Sequence, residues 1–334
     1  MMYFDAALPP VPLAQVTDIA RQAEKIGFSA LWSSETSHDP FLPAVLIAEH
    51  TQRIQFGTAI AVSFARSPAT LAYTAWDLSQ YSQGRFILGV GTQVKAHIER
   101  RFGMPWPESV IGKLREQIQA IHAFWSCWQE NQPLNIRGEY YKLNLMSPFF
   151  NPGAISHPKI PIFIAGVNQG LARLAGEIGD GFLVHPFHSI PYLKAVLIPA
   201  IEEGCARTGR LRSDFQISAT VFTVTNRDEA DFTRTQIAFY ASTPSYRAVM
   251  AQHGWEAVAE QLSLLAARKR WGEMPALITD TMLETFALVT DENHLSTALQ
   301  QHYGELLDRV TLYTPFLPGQ RDLFWKKLSD ELQN

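Results

Sequence analysis

Eight short apolar runs, each followed by a helical pattern, set the limits on what this 334-residue chain can become. The runs are Tyr3–Ala7, Phe28–Ser33, Ile54–Val62, Arg85–Gly91, Ile160–Ala165, Gly181–His185, Phe215–Thr225 and Arg309–Tyr313. Between the first two, Val11, Ala14, Ile19, Ala23 and Ile26 stripe a helical face that Gly27 ends. Phe41–His50 reads as a mostly buried helix, and Pro68 opens the next in its favoured first-turn position. Leu171, Leu174 and Ile178 mark a further helix, Ile190 to about Thr208 a longer one, and Gln320 to Leu332 a closing one. Strands separated by helices pair in parallel through βαβ units. Eight such units close most economically as an α/β fold of the (β/α)8 TIM-barrel type; an open doubly wound sheet is the alternative.

Two stretches break the rhythm. Residues 103–159 carry a helix (Gly112–Gln129) and a hairpin turn centred on Arg137-Gly138-Glu139. Residues 226–307 hold several helices and a loop around Gly272–Thr281. Both read as insertions, after strands 4 and 7, at the mouth of one barrel domain spanning residues 1–334.

Composition narrows the function classes. With 46% hydrophobic and 18% charged residues the chain has ample core material and is not a disordered segment. The 28 basic against 32 acidic side chains, net −4, argue against a nucleic-acid surface, which needs clustered cations. The one dense cluster, Arg268-Lys269-Arg270, reads as the solvated end of a helix. Two cysteines make neither a metal cluster nor a disulfide framework, and Cys127, among Phe124, Trp125 and Trp128, reads as a buried thiol. No basic-then-apolar leader opens the sequence, and no run approaches the roughly 20 apolar residues of a membrane span. A soluble, cytoplasmic protein that binds neither nucleic acid nor membrane is expected.

In a parallel barrel the chemistry sits on loops after the carboxyl ends of the strands. After the second strand come Glu35, His38 and Asp39, where a carboxylate beside an imidazole would suit acid–base work; capping of the next helix by Asp39 is the simpler alternative. After the fourth come Gly91, Thr92, Gln93 and His97. Gly89-Val90-Gly91 lacks the third glycine of a dinucleotide fingerprint, and glycine there admits either a ligand or a packed neighbour. Gly166, Val167 and Asn168 lie between a strand and a helix, where backbone N–H groups could cradle a phosphate; an ordinary βα turn is the alternative. The histidines His38, His97, His185 and His188 come from separate loops without ligand spacing, so no metal is expected.

Taken together, Phe28-Ser29-Ala30-Leu31-Trp32, Gly57-Thr58-Ala59-Ile60, Arg66-Ser67-Pro68-Ala69, the stretch Gly84–Gly91, Pro161–Gly166 and Ala175–Phe182 resemble the bacterial luciferase-like family, especially its F420-dependent oxidoreductases. The resemblance runs over most of the chain. It implies a barrel with insertions, paired as a homodimer, with a flat redox cofactor across the carboxyl ends of the strands. It implies a cis peptide bond at Ala59–Ile60 against the cofactor ring, with Glu35, Gly91 and Thr92 also bordering it. Gly166, Val167 and Asn168 would hold the cofactor phosphate or tail, with His185 beside them.

Relatives that oxidise sugar phosphates place a histidine directly after the strand-2 acid, where this chain has Thr36. They place a glutamate where it reads Thr92-Gln93-Val94, and a phosphate-binding lysine where His188 stands. These departures argue against a sugar-phosphate substrate. The expectation is hydride exchange between F420 and a small organic substrate, with Glu35 and His38 or His97 moving the proton and Phe64, Trp106 and Phe187 lining an apolar mouth. An FMN-dependent monooxygenase and a silent flavin- or deazaflavin-binding protein are the alternatives.

Overall fold

The computed structural model describes residues 2–333. Eight strands run parallel: β1 (Tyr3–Ala7), β2 (Ala30–Ser33), β3 (Gln55–Thr58), β4 (Phe86–Gly91), β5 (Ile162–Gly166), β6 (Gly181–Val184), β7 (Gln216–Val224) and β8 (Arg309–Leu312). Each pairs with the next, and β8 returns to β1, setting Tyr3, Phe4 and Asp5 opposite Arg309, Val310 and Thr311. The ring is closed, a (β/α)8 barrel.

Successive strand side chains point to opposite faces. Phe4, Leu31, Phe56, Leu88, Ile164, Phe182 and Val310 therefore belong to the large core beneath the helices. Ala30, Trp32, Ile87, Phe163 and Leu183 fill the inside of the ring as a separate small cluster. The amino-terminal end of the ring is closed by a buried ion pair. Arg309 donates from Nε and Nη2 to the two carboxylate oxygens of Asp5 at 2.8 and 3.0 Å, and Trp32 Nε1 donates to the same carboxylate at 2.9 Å. Gln55 and Gln216 accept from Arg309 Nη1. Charges this deeply desolvated persist only when paired and fully hydrogen-bonded.

The strand expected over Ile54–Val62 breaks in two. Ala59–Ile60 is cis, and Ala61 and Val62 move across to pair with Val90 and Gly91 of β4. A strand not anticipated, Ala287–Val289, adds to the far half of β7 opposite Phe222–Val224; three residues are too few to show alternation. The helix expected from Ile190 to Thr208 begins as a short turn, widens to a π stretch over Leu193–Leu197, and is regular only over Ile198–Arg207. Pro191 and Pro199 flank the wide stretch, each lacking the N–H that a continuous ladder requires.

Residues 103–159 hold the helix Val110–Glu130 and a hairpin, Ile136–Arg137 with Lys142–Leu143. The Glu116 carboxylate accepts the N–H groups of Glu139, Tyr140 and Tyr141, fixing the turn onto the helix. Residues 226–307 hold helices Arg227–Ala241, Glu256–Ala267, Asp280–Phe286 and Leu295–Tyr303. Arg268–Arg270 is exposed just past a helix end, as read from the sequence. Cys127 and Cys205 are buried and free. Among the described residues no helix is long and apolar enough to cross a membrane.

Candidate active site

The loop after β2 is tied to the loop after β3 by one residue. Glu35 donates its N–H to Ile60 O at 3.2 Å. Its Oε2 accepts from Val62 N at 2.7 Å and from Arg66 Nη1 at 2.5 Å. Arg66 Nη2 reaches Asp39 Oδ2 at 2.9 Å, while Asp39 Oδ1 caps the next helix at Phe41 N. Glu35 thus holds the chain just after the cis bond while Ser33 O accepts Ala59 N–H before it at 2.7 Å, and Asp39 is both cap and ion-pair partner.

The glycines of β4 answer to this bulge. A Cβ on Gly89 would lie 1.7 Å from Thr58 O, and one on Gly91 would lie 2.9 Å from Ile60 Cδ1. Thr58 Oγ1 and Gly89 also exchange hydrogen bonds at 2.6 and 3.0 Å. The close neighbour that demands glycine is therefore the adjoining strand and its bulge. Glu35, Ala59, Ile60 and Gly91 come together on adjacent strands, with Ala59 and Ile60 half-buried beside the inner cluster. Thr92 is buried, its hydroxyl on Gln93 O.

On the next strand, Gly166 ends β5 opposite Val184. A Cβ there would strike Leu171 Cβ at 2.7 Å, so glycine lets the helix Gln169–Ile178 start this close. Asn168 caps that helix, accepting Leu171 N at 3.0 Å. Among the described residues nothing accepts the N–H groups of Val167, Asn168, Gln169 or Gly170, and the first turn carries no acidic side chain. Four open donors at a helix start favour an anion.

The structure does not assemble the expected acid–base pair. His38 is exposed, lining a groove with Leu8, Val11, Ser33 and Thr36, and His97 is exposed on the helix Lys95–Arg100. Neither bonds to Glu35, whose carboxylate is committed to Val62 and Arg66. Phe64 and Phe187, expected to line an open mouth, are fully buried; Phe187 packs on Phe286 at 4.8 Å and Phe64 on Trp106 at 5.9 Å.

His185 sits just past β6 between two rings, Tyr240 and Tyr246, each with its centroid 4.7 Å away. Its Nδ1 accepts Phe187 N–H at 3.1 Å, which leaves the proton of the neutral ring on Nε2. Burial, with His188 adjacent, pushes it down to about 3. His188 donates from Nδ1 to His185 O at 2.9 Å, and burial pushes it down to about 4. Sequence reasoning missed the tyrosines. Their signal was present, since Phe232, Gln236 and Tyr240 recur at four-residue spacing on one helix face.

A closed barrel with this mouth defines a class, and the family model described as luciferase-like monooxygenase matches residues 4–309: the chain belongs to that family of oxidoreductases. It is 44% identical over 307 residues, 90% of each chain, to an uncharacterized protein of Mycobacterium tuberculosis. It is 28% identical over 274 residues to the F420-dependent glucose-6-phosphate dehydrogenase of Amycolatopsis mediterranei, covering 77% of this chain and 79% of that one. Among solved structures it resembles the coenzyme F420 dependent tetrahydromethanopterin reductase from Methanopyrus kandleri, with a TM-score of 0.79 at 21% identity over 99% and 98% of the two chains.

Proposed function

We propose that this chain is an oxidoreductase that exchanges a hydride between F420 and a small organic substrate. The observation that carries the reading is the row of open N–H donors at Val167–Gly170 beside an uncharged, half-buried floor of Ala59, Ile60 and Ala165. A flat ring with an anionic tail matches that pairing of surfaces. Ala59, Ile60, Gly91 and Thr92 would border the ring, and Gly166, Val167, Asn168 and His185 its phosphate-bearing end. Bound deazaflavin supplies a two-electron hydride centre.

The chain's own residues position and exclude. Glu35 holds the bulge at Ile60 O and at Val62 N–H, and pairs with Arg66. We assign it as a positioning residue, with the accompanying proton carried by His38 at the groove, or by His97. F420 is preferred to FMN because relatives recognised by sequence carry F420 in their names. Titrating the purified chain with F420 and with FMN, followed by fluorescence, should give saturable binding tighter for F420. Binding of neither overturns the reading, and oxygen consumption with reduced FMN transfers it to a monooxygenase.

We further propose a homodimer. The helix Leu42–His50 is apolar all round up to Ala48, yet leaves Leu42 and Val45 56% and 49% exposed. A helix hydrophobic all round belongs in an interior or an interface.

A further inference from the structure

The helix Arg227–Ala241 lies over the ends of β7 and β8, turning Phe232, Gln236 and Tyr240 toward one residue, Tyr313, which directly follows β8. The Phe232 ring is 6.1 Å from the Tyr313 ring. Tyr313 donates its hydroxyl to Gln236 Oε1 at 2.9 Å, and the two phenol oxygens of Tyr240 and Tyr313 are 2.9 Å apart. A phenol has one proton. Since Tyr313 gives its own to Gln236, the proton between the rings comes from Tyr240. That direction agrees with the raised Tyr240 phenol, held up first by burial and then by its hydrogen-bonded neighbour Tyr313. The Tyr240 oxygen is left with a lone pair and no proton to offer.

The same ring packs edge-on to His185, with Tyr246 on the other side. Three nearby cations are engaged elsewhere: Arg66 with Glu35 and Asp39, Arg101 with Thr36 O, Arg234 with Ile278 O and Asp280; among the described residues no Lys or Arg lies over the rings of Tyr240, Tyr246 or Tyr313 or hydrogen-bonds to their hydroxyls. A phosphate or carboxylate held directly against the Tyr240 phenol would thus lose water without a cation in contact, a costly desolvation. A hydroxyl would meet an acceptor already aimed by two further hydrogen bonds.

We propose that Tyr240, oriented by Tyr313 and Gln236, is the substrate-recognising residue of the mouth, and that it accepts a hydrogen bond from an uncharged substrate bearing a hydroxyl on an apolar or aromatic body. The proposal rests on the reading of the mouth as the active site but needs no cofactor to be tested. Cyclohexanol, cyclohexanone and cyclohexyl phosphate serve as probes, each followed by ligand-detected NMR with the full chain.

The wild type should bind cyclohexanol saturably and in preference to the ketone and the phosphate ester. Tyr240→Phe should weaken cyclohexanol binding about fivefold, the worth of one neutral hydrogen bond. Tyr313→Phe frees the Tyr240 proton and should move the preference from alcohol toward ketone, a reversal that a merely structural tyrosine would not produce; melting curves check that both variants are folded. Unchanged cyclohexanol binding in Tyr240→Phe, an unmoved preference in Tyr313→Phe, tighter binding of the phosphate ester, or no cyclohexanol binding by wild type would each overturn it. Tyr240-dependent alcohol binding without saturable F420 binding would remove the cofactor reading and leave this wall standing.

Discussion

Glu35 carries more of the site than its single carboxylate suggests. One oxygen serves Val62 N–H and Arg66 together, and the backbone N–H holds Ile60 O. Glu35→Ala leaves the Val62 donor unpaired and the guanidinium with Asp39 alone; it should cost about 2 kcal/mol in urea unfolding and weaken F420 binding. Glu35→Gln keeps an acceptor for Val62 but loses the ion pair, so it should fall between. Loss of turnover in Glu35→Gln with F420 affinity untouched would instead make Glu35 the proton carrier. The residue type and its place after a strand were legible in sequence. Its commitment was not, because Val62 and Arg66 reach it only through the bulge that breaks the third strand.

Two histidines, the half-buried His185 and the buried His188, make a second prediction at this scale. Both are neutral in the fold, at about 3 and about 4, against 6.5 for an ordinary imidazole. Between those limits the unfolded chain binds more protons than the native one, so stability rises with pH there and levels off above 6.5. Each histidine contributes a slope of up to about 1.4 kcal/mol per pH unit. Urea unfolding from pH 7.5 to 4.5 should show the loss on acidification, and His188→Gln should flatten it. Equal slopes for variant and wild type would refute the assignment.

Among the elements, the helices Gln169–Ile178 and Ile198–Arg207 cross backbone to backbone. A Cβ on Gly176 would stand 2.2 Å from Ile201 O, and one on Gly204 would stand 2.1 Å from Arg173 O. Glu177 then ties the crossing through Arg115 and Arg207. Gly176→Ala must push the helices apart, at about 2 kcal/mol. Because the first of them carries the open donors of Val167–Gly170, the same change should lower affinity for F420, while apolar probe binding at Tyr240 stays. The thermal midpoint and an F420 titration read the two effects separately; an unshifted midpoint would show that the crossing relaxes freely. The motif around Gly176 was visible in the sequence, but its cause lay in Gly204, a residue with no periodic relation to it.

At the scale of the molecule, alternation of apolar runs and helical stripes was enough for the eight strands and their order, because each run had to be buried on both faces. Ends shifted by a residue or two where caps and turns decide. What escaped was everything made by meetings across the ring: the added strand Ala287–Val289, the tyrosine wall, and the buried ion pair. The exposed apolar helix Leu42–His50 belongs at this scale too. Light scattering should report twice the chain mass, and Val45→Glu should halve it by setting a charge into an apolar contact; a wild-type monomer would remove the dimer.

The pairing of Arg309 with Asp5 gives the barrel an order of completion. Asp5 and Arg309 stand 304 residues apart, on β1 and β8, the two strands whose meeting closes the ring. Until Arg309 arrives, a carboxylate facing the inside of the ring has no counter-ion, and sealing the sheet around it is uphill. Docking of β8 against β1 is therefore the latch that turns an open trough into a vessel.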